Sequence, residues 1–243
     1  MLANAFNGKT VVIAVDGPAA SGKGTLAKKV AAKLGYAYLD TGALYRVVAL
    51  ATLKAGGDPE KIEDVRLQLD TIRKNTNPAL LTDPALRSPA VAEAAAKVAV
   101  MPEVRAVVRE YQASFMKNPP NGAPGVVLDG RDIGTVVCPD ADIKFFVTAT
   151  PEERARRRFE ELKDRTPGLT LETVLHDVTD RDRHDSTRKV SPLLAAADAH
   201  VLDTTGLTPA KVLEEALKII RAKFPQTGNA PASGNRKNFT PKI

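Results

Sequence analysis

Tryptophan is missing from this 243-residue chain, aromatic residues make up only 5% of it, and Cys138 is its one cysteine. A single thiol excludes a disulfide framework and is expected of a chain that works in the cytoplasm. The three histidines, His176, His184 and His200, are scattered and fall into no metal-ligand spacing. Apolar runs are short and broken by charge, so no transmembrane span is predicted. The first residues, MLANAFNGKT, show no basic segment followed by an apolar one, so no secretory signal is expected. The formal charge of +6 leaves two kinds of anionic partner open, nucleic acid or small anions in a pocket. The scarcity of aromatics argues against the first, because a single-stranded nucleic-acid groove needs a basic stripe interleaved with stacking rings.

What is present is enough apolar residue, 43%, for one substantial core with a smaller appended lobe. Thr10 to Val15 is a β-branched run between glycines and predicts a buried strand. A Gly-rich turn follows, then a helix from Lys23 to Leu34 with Leu26, Val30 and Leu34 on one face and Gly35 as its stop. "YAYLD" predicts a second strand ending in Asp40, and a helix from Ala43 to about Leu53 comes next. Residues 58–122 differ: several prolines, mixed periodicity, and helical patterns over Val91–Val100 and from Pro102 to Met116. They are expected to form an inserted lobe. The alternation resumes with strands at 125–130, 143–149 and 199–205. Helices are expected at "PEERARRRFEEL", at 171–184 and at 208–223. Five apolar strands separated by helices predict an α/β fold, a parallel sheet with helices on both faces. The core is expected over 1–57 and 123–224, and the polar tail 225–243 is expected to be disordered.

The stretch "VIAVDGPAASGKGTLAKKV" has the strand–glycine–lysine–helix context of a phosphate-binding P-loop. Glycines let successive N–H groups point at phosphate oxygens, the new helix adds the positive end of its dipole, and Lys23 adds a point charge. The residue after the lysine, which often holds Mg²⁺ through a hydroxyl, is Gly24, with Thr25 one place later.

Arginines mark the acceptor side. Arg46 and Arg131 follow strand ends, where ligands of parallel sheets bind, and Arg181, Arg183 and Arg188 lie in the run "TDRDRHDSTRK". Arg154, Arg156, Arg157 and Arg158 crowd one stretch of a helix and cannot all face one site, so most of them are expected at the surface. If the acceptor is itself a phosphate, two dianions must approach to about 4 Å, which costs roughly 16 kcal/mol before screening at an effective dielectric of 20. Bidentate guanidinium groups offset that repulsion and fix an in-line geometry. A phosphate acceptor is already nucleophilic, which suits the lack of a convincing histidine or aspartate base.

The segments "DGPAASGKGTLAKKVAAKLGYAYLDTGALYR", "LDGRDIGTVVCPDADIKFFVTATPEERARRR" and "RDRHDSTRKVSPLLAAADAHVLDTT" resemble bacterial cytidylate kinases, of the nucleoside monophosphate kinase family, over nearly all of residues 10–223. The resemblance implies a P-loop NTPase-type core, an NMP-binding lobe at 58–122, a short lid at about 156–190, and transfer from MgATP to CMP or dCMP. It implies that Gly17, Pro18, Ala19, Ala20, Ser21, Gly22, Lys23, Gly24 and Thr25 hold the ATP phosphates, with Arg157 against adenine. Thr41, Tyr45, Arg46 and Arg131 would face the acceptor sugar-phosphate, and Arg105 and Asp132 its cytosine. Arg181, Asp185 and Arg188 match the family's lid segment. Lys23, Arg131 and Arg181 are the catalytic candidates, and Thr25 and Asp129 the candidates for Mg²⁺, through water. ATP and Mg²⁺ are thus the implied cofactors, with a monomer and no nucleic-acid or membrane partner. Other monophosphate acceptors, UMP or AMP, and a basic P-loop ATPase acting on nucleic acid are the competing readings. Two departures stand out. Ala96 replaces a base-contacting serine, and the lobe between Asp58 and Ser88 is short, with "TNPALLTDPALRSP" expected to be loop-like.

Overall fold

The structure, a computed structural model, describes residues 10–73, 78–164 and 166–224. The expected disorder of 225–243 lies outside the described residues.

Strands β1 (Val11–Asp16), β2 (Ala37–Asp40), β3 (Gly125–Gly130), β4 (Ile143–Thr148) and β5 (His200–Asp203) form one sheet in the order β2-β3-β1-β4-β5. All pairs are parallel. The register places Asp16 beside Gly130 and Asp40 beside Asp129, so the carboxyl ends of the first three strands finish level. Both faces are covered, which is why β1 and β3 are buried along their whole length. On one face pack α1 (Lys23–Leu34) and the last helix, with Leu26, Val30, Val212 and Ile220 against Ile13, Val127 and Phe145. On the other lies α2 (Thr41–Lys54), whose Leu44, Val47 and Val48 join the same core as the inserted segment.

The described residues of that segment form helices joined by short turns: α3 (Ile62–Arg66), α4 (Asp70–Arg73), 3₁₀ turns at Pro78–Thr82 and Pro84–Arg87, α5 (Pro89–Val98) and α6 (Pro102–Lys117). Of the stretch "TNPALLTDPALRSP", expected to be loop-like, the part from Pro78 on is wound into short turns, the second opened by Asp83, whose carboxylate accepts the Ala85 N–H at 2.8 Å. Thr76 and Asn77 lie outside the described residues. After β4 come α7 (Pro151–Leu162) and α8 (Leu171–Thr187), and α9 (Pro209–Lys223) follows β5.

Several boundaries moved: α5 lies two residues earlier at both ends than the expected Val91–Val100, and β5 is shorter than the expected 199–205. Helix α2 starts at Thr41, two residues early, because the Asp40 carboxylate caps it through the Ala43 N–H at 3.2 Å. Helix α8 runs on through the charged run to Thr187 instead of stopping at 184. This extension sets Arg181 and Asp185 one turn apart on a single helix, with Arg188 at its C-terminal cap.

Candidate active site

The carboxyl ends of β2 and β3 and the start of α1 border a cavity of about 230 Å³. Among the described residues that line it are six cationic side chains, Lys23, Arg46, Arg105, Arg131, Arg181 and Arg188, and four carboxylates, Asp40, Asp129, Asp132 and Asp185. Thr41, Tyr45 and Gly24 also line it. The acceptor-side residues implied by the resemblance all line it, but Arg183 of the charged run does not: it is exposed and donates to Asp180 on its own helix at 2.7 Å. Gly17 to Gly22, Thr25 and Arg157 lie outside the lining.

The P-loop connects β1 to α1. Gly17 has φ 151°, and a Cβ there would meet the Val147 carbonyl oxygen at 2.0 Å, so no larger residue fits. Gly22 caps α1 in the left-handed region, with φ 88°. The first turn of α1 holds no acidic residue, which leaves its N-terminal amides open to an anion. Thr25 is exposed on that turn. Gly24 is constrained from behind: a Cβ on it would stand 2.9 Å from Asp129 Oδ2. The missing hydroxyl after the lysine thus has a packing cause.

Lys23 Nζ lies 3.8 Å from Asp129 Oδ1. Burial and then the charge of Arg131 lower the Lys23 ammonium to about 8, against a partial pull upward from Asp129. Burial in turn raises the Asp129 carboxyl, with Lys23 opposing. Asp129 Oδ2 accepts from the Tyr38 hydroxyl at 3.3 Å, while Oδ1 is buried without a hydrogen-bond partner. Among the described residues no group of three or more histidine, cysteine, aspartate or glutamate side chains could hold a metal. A divalent cation here would rest on Asp129, water and substrate phosphates, the usual set for Mg²⁺, and the orphaned Oδ1 fits that role.

Arg131 follows β3 directly. Its Nε donates to Asp185 Oδ2 at 3.0 Å and its Nη1 to the Gly130 carbonyl at 3.2 Å. Burial lifts the Asp185 carboxyl, but Arg131, Arg181 and Arg188 together outweigh it, and the net position is below the usual aspartate range. Thr41 donates to the Asp129 carbonyl at 2.7 Å, and Arg46 sits 3.5 Å from Asp40. Deeper in, the buried Arg105 donates to Asp132 Oδ2 at 2.5 Å. Ala96 lines the wall nearby with a methyl group.

Arg157 lies behind the loop. It donates to Glu153 at 2.9 Å, to the Thr204 hydroxyl at 2.9 Å and to the Thr204 carbonyl at 2.7 Å, and its Nη1 faces the Ser21 carbonyl at 3.4 Å.

Sequence reasoning missed several residues. Asp40 and Asp16 stand at strand ends, the same signal that pointed to Arg46 and Arg131. Asp16 accepts the N–H groups of Ile133 and Gly134 at 2.9 and 2.7 Å and so fixes the turn after Arg131. Burial raises its carboxyl to about 6 despite those bonds. Arg154, grouped with its surface neighbours, is 3% exposed and forks onto Asp182 of α8 through Nη1 at 2.9 Å and Nη2 at 2.5 Å. Its Nη1 also faces the Ala19 carbonyl at 3.4 Å, which ties α8 to the P-loop. No local pattern announces that tie.

A Gly-rich loop running into a helix, a lysine at its end and a facing ring of arginines on a five-stranded parallel sheet define a P-loop phosphotransferase. A family model described as cytidylate kinase matches residues 13–222. The curated cytidylate kinase of Rhodospirillum rubrum is 49% identical over 217 residues, 89% of this chain and 100% of that one. Those of Paramagnetospirillum magneticum and Rhodopseudomonas palustris are 48% and 47% identical, covering 88% and 87% of this chain and 99% and 96% of theirs. The chain belongs to the cytidylate kinase family.

Proposed function

We propose that this protein transfers the γ-phosphoryl group of ATP to the phosphate of CMP or dCMP, giving ADP and (d)CDP. An acceptor phosphate oxygen forms the new bond to the γ-phosphorus while the bond from that phosphorus to the β–γ bridging oxygen breaks, and ADP leaves with that oxygen. The observation that carries the reading is the cavity in which Lys23, Arg46, Arg131, Arg181 and Arg188 converge at the strand ends. Five cations on one pocket suit two phosphate-bearing substrates brought together, where repulsion is the main barrier.

In this reading the amides of Gly17–Thr25 and Lys23 hold the donor phosphates, and Arg157 lies on the adenine side. Arg131 and Arg181 flank the group in transit. Thr41, Tyr45, Arg46, Asp185 and Arg188 hold the acceptor sugar and phosphate. Arg105 and Asp132 present a donor and an acceptor to the base, a pair that tells the amino group of cytosine from the carbonyl of uracil. Mg²⁺, held by Asp129 and Thr25 through water, would neutralise phosphate charge when bound. The carboxylates need not act as bases: Asp132 and Asp185 are each tied to an arginine.

The test is Arg131→Ala. Its kcat is expected to fall on the order of 10³-fold or more, as for other removed phosphoryl-transfer arginines. The dissociation constant of ATP stays within about threefold in the same variant, because one lost non-donor contact leaves ground-state binding of ATP in place. Unchanged turnover would refute the role.

A further inference from the structure

Ser191 lies in the segment after α8 and has φ 51°, in the left-handed region that residues other than glycine seldom adopt. Two arginines meet it there. Arg188, at the C-terminal cap of α8, donates from Nε to the Ser191 carbonyl at 2.5 Å. Arg105, on α6 and 86 positions away, donates from Nη2 to the Ser191 hydroxyl at 2.6 Å. The same Nη2 reaches Asp132 at 2.5 Å, and Nη1 faces the Ala99 carbonyl at 3.4 Å. The Leu193 N–H donates to the Asp185 carbonyl at 2.8 Å and folds the segment back onto α8. Ser191 itself does not line the cavity, whereas Arg105, Asp132, Asp185 and Arg188 all do.

We propose that Ser191 is a positioning residue for base selection: its hydroxyl locks the Arg105 guanidinium beside Asp132 and couples that lock to the seating of α8 through Arg188 and Asp185. The inference rests on the reading of Arg105 and Asp132 as the base-side pair. Two features favour a role beyond shaping a turn. A turn that needs φ near 51° is best served by glycine, yet a serine stands there. And the serine oxygen meets a buried arginine that otherwise has one carboxylate and one distant carbonyl for its donors. Without the hydroxyl, Arg105 is free to rotate away from the plane set by Asp132. Geometric looseness of that kind is felt in the acceptor's binding and not in the donor's.

Ser191→Gly separates the two roles, since it suits the backbone and removes only the hydroxyl. Purified Ser191→Gly, Ser191→Ala, Arg105→Ala and the parent chain are assayed for the KM of CMP, UMP and ATP, and each is melted. Ser191→Gly is expected to unfold at or above the parent temperature, to raise the KM of CMP at least tenfold, to narrow the CMP/UMP ratio of kcat/KM by a similar factor, and to leave the KM of ATP within twofold. Ser191→Ala shows the same kinetic losses at a lower melting temperature. If Arg105→Ala changes the CMP/UMP ratio but Ser191→Gly keeps the parent KM for CMP, the positioning role is overturned and the base-side reading stands. If Arg105→Ala leaves the CMP/UMP ratio unchanged, the base-side reading falls, and this inference with it.

Discussion

Asp129 Oδ1 lies 3.8 Å from Lys23 Nζ at the head of the sheet and is buried without a hydrogen-bond partner. The pair is an ammonium and a carboxylate that face each other without touching, both short of solvation. Each lacks what a phosphate–cation pair would bring, an anion for the lysine and a cation for the carboxylate. The properties of the site follow from that incompleteness.

Lys23 gives the first prediction. Its ammonium stands at about 8 in the free protein. Phosphate prefers the charged form, so binding raises this value. Donor affinity is then full below about pH 8 and declines as pH rises through it, approaching tenfold per unit until the bound lysine titrates in turn. Titrating ATP by calorimetry between pH 7.5 and 9.5 checks the slope. In Lys23→Arg, whose guanidinium stays charged throughout, that slope is expected to vanish.

Gly24 gives the second. A methyl group there meets Asp129 Oδ2 at 2.9 Å, and Asp129 is walled in by Tyr38 and Lys23. Gly24→Ala is expected to lose about 1–2 kcal/mol of stability by overpacking. That corresponds to a melting temperature lower by roughly 2–8 °C in a chain of this size. An unchanged melt would mean that Asp129 is free to move.

The fork between Arg154 and Asp182 gives the third. Asp182→Ala strands a guanidinium that is 3% exposed, and about 2–4 kcal/mol of stability is expected to go with it. Replacing both partners, Arg154→Met with Asp182→Leu, removes the stranded charge and restores most of the loss. Thermal unfolding of Arg154→Met, Asp182→Leu and the double that combines them closes the cycle.

The fold was legible because its signals are local. The β-branched run of β1, the fourfold spacing of α1 and the proline that opens α7 each settle their element without help from elsewhere. Arg46 and Arg131 were legible through strand-end position and family resemblance together, and Arg105, Asp132 and Asp185 through the resemblance alone. What stayed hidden depends on contacts across the chain. Arg154 looks like any member of an arginine run, and its partners, Asp182 28 positions on and the carbonyls of Ala149 and Ala19, are what make it a core residue. Ser191 carries no signal until Arg105 is seen beside it. Asp40 shifted a helix start because a side-chain cap overrides the apolar pattern, and α8 outran its expected end because its charges find partners on the cavity side.

The acceptor assay tests the central claim most directly. Purified protein with Mg²⁺ and ATP is offered CMP, dCMP, UMP and AMP separately, and nucleoside diphosphate formation is followed by chromatography. CDP or dCDP is expected to form with a kcat/KM at least tenfold above that for UMP or AMP. Preference for UMP or AMP, or ATP hydrolysis with no phosphorylated acceptor, would contradict the account.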